Sequence, residues 1–438
     1  MNKPLAVISC PIDTYSGYGA RARDFVRALS NAKGNEWDIK ILPQVWGNTK
    51  AGYLKEHGDS FFTPMVIGKL EKKPNVWVQI TVPNEFQAVG DFNIGVTAAM
   101  ETTLCHDTWV TGANNMDIVF TSSEHGKNSL INSMFDVENN ETKEKSRLRI
   151  TKPVEVLFEG VDSKTYDPKS EYKNTELINS LDSIKENFCF LFVGHWLQGE
   201  HTQDRKNIGG MIESFLETFK TQHTQPALII KTQSANSSIM DQQAILEKID
   251  FVRKKVKGRI PNVYLLHGEL SDRDINNLYN HSKVKAMVNL TRGEGFGRPL
   301  LEFTTTGKPI IASGWSGHTD FLRSDLNLLV GGKLETVHPS AVVQKMIIPE
   351  SKWFTFDDKE ASKAFKSVYK NYKQNIIKSR TQKRITREHY SLEKMEELLK
   401  NYLDKYTPKF SVEQEFTPPK LELPKEIRLP KRKLTKVK

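Results

Sequence analysis

The chain has 438 residues, 38% hydrophobic and 9% aromatic, a length that favours two or three folded domains over a single core. No apolar run approaches the roughly 18 residues of a membrane span, and Cys10, Cys105 and Cys189 form no Cys-x-x-Cys pair, which points to a reducing, cytoplasmic setting. The formal net charge of +10 is unevenly placed, with seven Lys or Arg against two Glu in residues 421–438, so a basic tail carries about half the excess.

Residues 4–11 read as a first buried strand. The apolar run at its centre is shorter than the roughly 7 to 15 residues of a signal-peptide core, so Val7-Ile8-Ser9-Cys10 is read as strand and not as a lipoprotein cleavage site. A loop with Gly17 and Gly19 follows, and Phe25, Val26, Ala28 and Leu29 then recur at helical spacing. Read as Gly17-x-Gly19-x-x-Ala22, the loop matches a dinucleotide fingerprint. Its confirming acid is missing, because the second strand, 37–42, ends in Pro43-Gln44, and this counts against a nicotinamide cofactor. Further strands are expected at 75–81 and 95–97. Glu101 would then sit at a strand's carboxyl end, where α/β ligands collect, or would cap a helix; both readings stay open. His106 and His125 read first as surface or satisfied core residues. A strand at 154–158 precedes the polar stretch 162–185, which reads as a connection between domains.

The second half opens with the continuous apolar run 188–193, typical of a parallel strand covered on both faces. Gly194-His195 ends it, and Arg205-Lys206-Asn207 precedes an amphipathic helix at 211–219. Strands at 227–231 and 262–266 follow, the latter leading into His267-Gly268-Glu269-Leu270-Ser271. Ser271 reads as a helix N-cap with Asp272 and Asp274 in the first turn, which accounts for both acids without a metal. The strand 284–290 then runs into Arg292-Gly293-Glu294-Gly295-Phe296-Gly297-Arg298-Pro299 and the start of a helix at 300–306. Glycines at 293, 295 and 297 remove the Cβ atoms that would keep a ligand off the backbone, so amides can face bound oxygens. The helix N-terminus adds unpaired N–H donors at the same place. Glu294 and Glu302 flank these donors, and a carboxylate accepts two hydrogen bonds from a vicinal diol. Phosphate donors combined with diol acceptors suit a nucleotide sugar.

The Glu-x7-Glu element from Glu294 to Glu302 resembles the signature of the retaining GT-B glycosyltransferases of the family 4 type. The resemblance covers nearly all of the chain up to the tail and is strongest over 188–320. It implies an α/β fold of two Rossmann-like, doubly wound parallel-sheet lobes with a cleft between them and a C-terminal helix crossing back. The expected divisions are an acceptor lobe at 1–180, a nucleotide-sugar lobe at 187–357, returning helices at 358–406 and a disordered basic tail at 407–438. In the family the first Glu touches the transferred sugar, the second holds the ribose, and the backbone between them meets the diphosphate. Carried over, this assigns Glu294, Glu302 and the stretch Gly295, Phe296, Gly297 and Arg298. The Gly17 and Gly19 loop would approach the diphosphate and the acceptor, and Gly268 and Leu270 would read the nucleobase edge. Lys206 matches the family's diphosphate lysine. His195 stands where the family has an arginine, a departure that leaves Arg205 to supply the missing charge. Glu101, followed by Trp109 and then by Asp117 to Glu124, matches a pattern in part of the family and is given an acceptor-orienting role. The turn Gly314-Trp315-Ser316-Gly317-His318-Thr319-Asp320 resembles one that closes over the donor.

The resemblance implies retaining transfer with no cofactor and no metal, the diphosphate itself taking the acceptor's proton. The donor would be a UDP-, GDP- or ADP-linked sugar. The acceptor would be a glycan, a lipid-linked saccharide or a hydroxylated DNA base, with the basic tail resting on anionic membrane or DNA. Two other classes remain: a non-catalytic nucleic-acid-binding protein resting on the charge, and an NAD-dependent oxidoreductase using the Gly17 loop.

Overall fold

A computed structural model describes residues 3–47, 49–138, 143, 145–196, 202–234 and 238–410. Of the expected disordered tail at 407–438, positions 411–438 lie outside these residues. The first lobe is built on β1 (Leu5–Cys10), β2 (Asp38–Pro43), β3 (Val76–Ile80), β4 (Phe92–Thr97) and β5 (Ile118–Thr121). A hairpin of β6 (Phe135–Glu138) and β7 (Lys145–Leu148) precedes the last strand, β8 (Val154–Val156). The sheet order is β2-β1-β3-β4-β5-β8, all parallel. β1, β3 and β4 are buried along their whole length, as expected of parallel strands covered on both faces.

The second lobe repeats the plan with β9 (Cys189–Val193), β10 (Ala227–Thr232), β11 (Val263–His267), β12 (Val284–Asn289), β13 (Ile310–Ser313) and β14 (Leu328–Val330). Its parallel order is β11-β10-β9-β12-β13-β14, and an antiparallel pair, β15 (Gly332–Thr336) and β16 (Lys352–Phe356), lies beside it. Strand order reverses between β1 and β3 in one lobe and between β9 and β12 in the other. Ligands of open α/β sheets bind outside the carboxyl ends at such points, so the topology alone directs attention to the loops after β1, β9 and β12.

Of the three C-terminal helices, Asp358–Lys370 and Tyr372–His389 stay on the second lobe, where Phe365 packs with Phe190 and Phe215. Only Leu392–Tyr406 crosses back, burying Met395, Leu399 and Leu403 in the first-lobe core with Phe25 and Leu29. The polar stretch 162–185 does connect the lobes, but it also contains a helix, Thr175–Asp182, capped by Asn174 and anchored through buried Leu177 and Leu181. Those two residues, one helical turn apart, form too narrow an apolar stripe to stand out among polar neighbours. Ser271 and Asp274 form a reciprocal capping box.

Candidate active site

The loop after β12 meets the loop before the helix Ile208–Phe219. Arg292 N–H donates to the Arg205 carbonyl at 2.8 Å, and Arg205 Nη1 donates to the Gly293 carbonyl at 2.9 Å. This stitching brings Lys206 Nζ to 2.5 Å from Glu294 Oε1, with both side chains largely buried. Asn289, the last residue of β12, donates from Nδ2 to the same carboxylate at 3.1 Å. Burial alone would push the Glu294 carboxyl up, but Lys206 and Arg205 overcome it and hold the group at about 2.

The turn is held from behind as well. Glu294 N–H donates to Ser316 Oγ at 2.9 Å, and Gly317 N–H donates to the Glu294 carbonyl at 3.0 Å. Only glycine fits at 317, because a Cβ there would lie 2.1 Å from the Gly295 carbonyl oxygen. His318 is fully buried and donates from Nε2 to the Ser313 carbonyl at 2.6 Å, while Nδ1 has no hydrogen-bond partner among the described residues; burial pushes the imidazole below its ordinary value. The amides of Gly295, Phe296 and Gly297 meet no acceptor among the described residues. They lie at the N-terminus of the helix Arg298–Thr304, so the donors required for an anion are present.

The first lobe closes over this turn. Ser123 Oγ donates to the Gly295 carbonyl at 2.6 Å, Glu124 N–H donates to Asp320 Oδ2 at 2.8 Å, and Glu101 Oε1 lies 3.2 Å from Arg205 Nη2. Residues 291–297 are consequently buried between the lobes rather than open to solvent. The structure thus gathers Glu101, Arg205, Lys206 and Glu294 into one cluster.

Other expected residues have different surroundings. Glu302 is buried and accepts from Arg298 Nε at 2.9 Å and from Tyr279 OH at 3.2 Å. Burial pushes its carboxyl up to about 7, against the pull of Arg298. Arg298 directs its side chain to Asp24 of the first lobe, at 2.5 Å. Gly17 is exposed, with no atom near a built Cβ, whereas Gly19 donates to Ser16 Oγ at 2.9 Å and would place a Cβ 2.3 Å from the Thr14 carbonyl oxygen. Gly19 therefore shapes the turn, and Gly17 is the position a ligand can approach. His195 is exposed, with Nδ1 3.3 Å from the Ser234 carbonyl. Gly268 has φ +102°, a left-handed conformation that favours glycine, and Leu270 packs against the second lobe's core.

Sequence reading passed over Asn289 and Asp24, whereas Ser316 and His318 lie in the turn expected to close over the donor. Asn289 had a signal, being a polar residue at the carboxyl end of an apolar strand. Asp24, inside a helix pattern, had none.

No protein-family model matches the chain, and no curated protein matches it. Solved structures do. A glycosyltransferase from Rickettsia africae superposes with a TM-score of 0.59 at 14% identity, over 92% of this chain and 99% of its own. Anabaena Alr3699/HepE in complex with UDP-glucose gives 0.59 at 12%, over 92% and 100%. A UDP-forming α,α-trehalose-phosphate synthase from Burkholderia xenovorans gives 0.58 at 11%, over 93% and 100%. The chain has the fold of these glycosyltransferases: two Rossmann-like lobes of the GT-B type, facing each other across a cleft.

Proposed function

We propose that the protein is a metal-independent, retaining glycosyltransferase that moves a sugar from a nucleotide-sugar donor to a hydroxyl acceptor. The observation that carries this reading is the buried Lys206–Glu294 pair at the second lobe's switch point, flanked by Arg205 and by the unpartnered amides of the glycine turn. The UDP and UDP-glucose named with the similar structures support a nucleotide-sugar donor.

In this reading the acceptor oxygen bonds to the anomeric carbon as the bond from that carbon to the diphosphate breaks, and the acceptor's proton passes to a diphosphate oxygen. Negative charge grows on the leaving group, and Lys206, Arg205 and the amides of Gly295, Phe296 and Gly297 are preorganised to receive it. On binding, the diphosphate takes Lys206 as a partner, and Glu294 turns to the sugar. Glu302 holds the ribose once Arg298 yields to it, and Gly268 and Leu270 meet the base. Closure expels water and limits donor hydrolysis. Glu101 orients the acceptor. On the acceptor side, Tyr18 stacks on Trp46 with ring centroids 4.2 Å apart. Such a shelf suits the flat face of a ring, sugar or base alike.

No helix among the described residues is long and apolar enough to cross a membrane. Free, buried Cys10, Cys105 and Cys189 support a cytoplasmic setting, and the basic residues beyond 421 would hold the enzyme against an anionic surface.

The test is turnover of UDP-, GDP- and ADP-sugars by the full chain and by Glu294→Gln and Lys206→Ala. Each substitution should lower kcat by about a hundredfold or more without loss of the folded state. Full activity in both variants, or no sugar release from any donor, would reject the reading.

A further inference from the structure

Lys231 lies near the carboxyl end of β10, in register with Val193 of β9 on one side and Leu266 of β11 on the other. In-register residues of parallel neighbours point to the same face. This row therefore continues the one formed by Leu191, Ile229 and Tyr264, on the face that packs against Leu278, Leu300 and Leu301. It is the side of the sheet that carries the Gly268–Leu270 turn and the helix of Glu302. Lys231 is thus an ammonium set among apolar side chains above the second lobe's ligand-facing edge.

Among the described residues it makes no hydrogen bond and no ion pair. Burial lowers its ammonium to about 8, against the opposing pull of the Glu269 carboxylate. Glu269 also faces Lys50 of the first lobe, at 3.9 Å. A half-buried, unpartnered charge is costly unless something supplies an acceptor. Nearby, Lys206 is paired with Glu294, and His267 with Asp241 at 2.8 Å, while Thr232 Oγ1 and Gln233 Oε1 also lack a hydrogen-bond partner among the described residues.

We propose that Lys231 selects the donor's base, accepting nucleotides whose ring carries a keto oxygen and rejecting those with an amino group in its place. A lysine ammonium has three donors and no acceptor. Uracil O4 and guanine O6 accept a hydrogen bond, whereas the exocyclic amines of adenine and cytosine only donate. Lys231 therefore pairs with uracil or guanine and leaves adenine or cytosine with two opposed donors. Placement next to the Gly268–Leu270 turn puts this selection at the base, away from the phosphates. The assignment rests on the glycosyl-transfer reading above and narrows its donor.

The experiment is titration of the full chain at pH 7 with UDP, GDP, ADP, CDP and inorganic pyrophosphate, repeated for Lys231→Met and Lys231→Arg. Wild type should bind UDP or GDP at least about tenfold tighter than the amino-bearing nucleotides, a difference of about 1.4 kcal/mol. In Lys231→Met the preference should fall to within about threefold while pyrophosphate affinity holds, and Lys231→Arg should keep the preference. An unchanged UDP-to-ADP ratio in Lys231→Met, or no keto preference in wild type, overturns the assignment while leaving glycosyl transfer intact. Loss of pyrophosphate affinity in Lys231→Met would place the residue on the phosphates and overturn base selection. Failure of wild type to bind any of these nucleotides overturns both readings.

Discussion

Arg298, the first residue of its helix in the second lobe, places Nη1 2.5 Å from Asp24 Oδ2 on the first helix of the first lobe, 274 residues earlier in the chain. The same guanidinium donates from Nε to Glu302 at 2.9 Å. One arginine thus ties the proposed ribose carboxylate to the opposite lobe, coupling the donor site to closure. Both partners are largely buried, so neither is fully screened by solvent.

Asp24→Asn should weaken the closed arrangement by about 1–3 kcal/mol, less than the full cost of breaking a buried pair because Arg298 keeps Glu302. Small-angle scattering should show a larger radius of gyration, and the donor KM should rise. An unchanged scattering profile together with an unchanged KM would mean that the contact does not govern closure.

A methyl group at position 293 tests closure from the backbone. A Cβ on Gly293 would lie 1.9 Å from the carbonyl oxygen of Glu101 in the first lobe, and backbone cannot be displaced there without parting the lobes. Gly293→Ala should therefore keep the circular dichroism and the core of each lobe. Transfer should drop by about a hundredfold, the order of loss seen when reacting groups are misplaced by about an ångström. Wild-type turnover in Gly293→Ala would show that chemistry does not use this closed form.

The Glu294 carboxyl is held at about 2, below its ordinary value of 4.5. A depressed carboxylate stabilises the fold fully above about 4.5, and the contribution is lost as pH falls toward about 2, because the unfolded chain takes up the proton first. The loss is on the order of 3 kcal/mol for a buried group of this kind. Melting temperature measured across this window should therefore fall more steeply in wild type than in Glu294→Gln. Parallel curves would show that the Lys206–Glu294 pair adds no acid-sensitive stability.

The central strands of both sheets were legible because an apolar run bounded by turn residues is a local signal. Runs 188–193 and 284–290 correspond to Cys189–Val193 and Val284–Asn289. β14, β15 and β16 went unread, since short strands at a sheet's margin carry mixed polarity and no clear period. Within the site, Glu294 was legible from the residue types around a glycine turn and Lys206 from the family resemblance, whereas the surroundings of Glu302 were not. Its spacing from Glu294 is plain, but its partners Arg298 and Tyr279 become apparent only once two helices are packed together.

The sequence by itself determined the local pieces: parallel strands ending in glycine-rich loops, helices that cap themselves, and a turn whose amides and carboxylates suit phosphates and diols. Tertiary structure alone decided which pieces meet: Glu101 with Arg205, Asp24 with Arg298 and Ser123 with Gly295, while Lys231 forms no hydrogen bond or ion pair among the described residues. The physical reason is separation along the chain. Secondary structure follows from neighbours a few residues apart, whose periodicity is written in the sequence, but a contact across two lobes joins residues one hundred to nearly three hundred positions apart, and no local pattern records it.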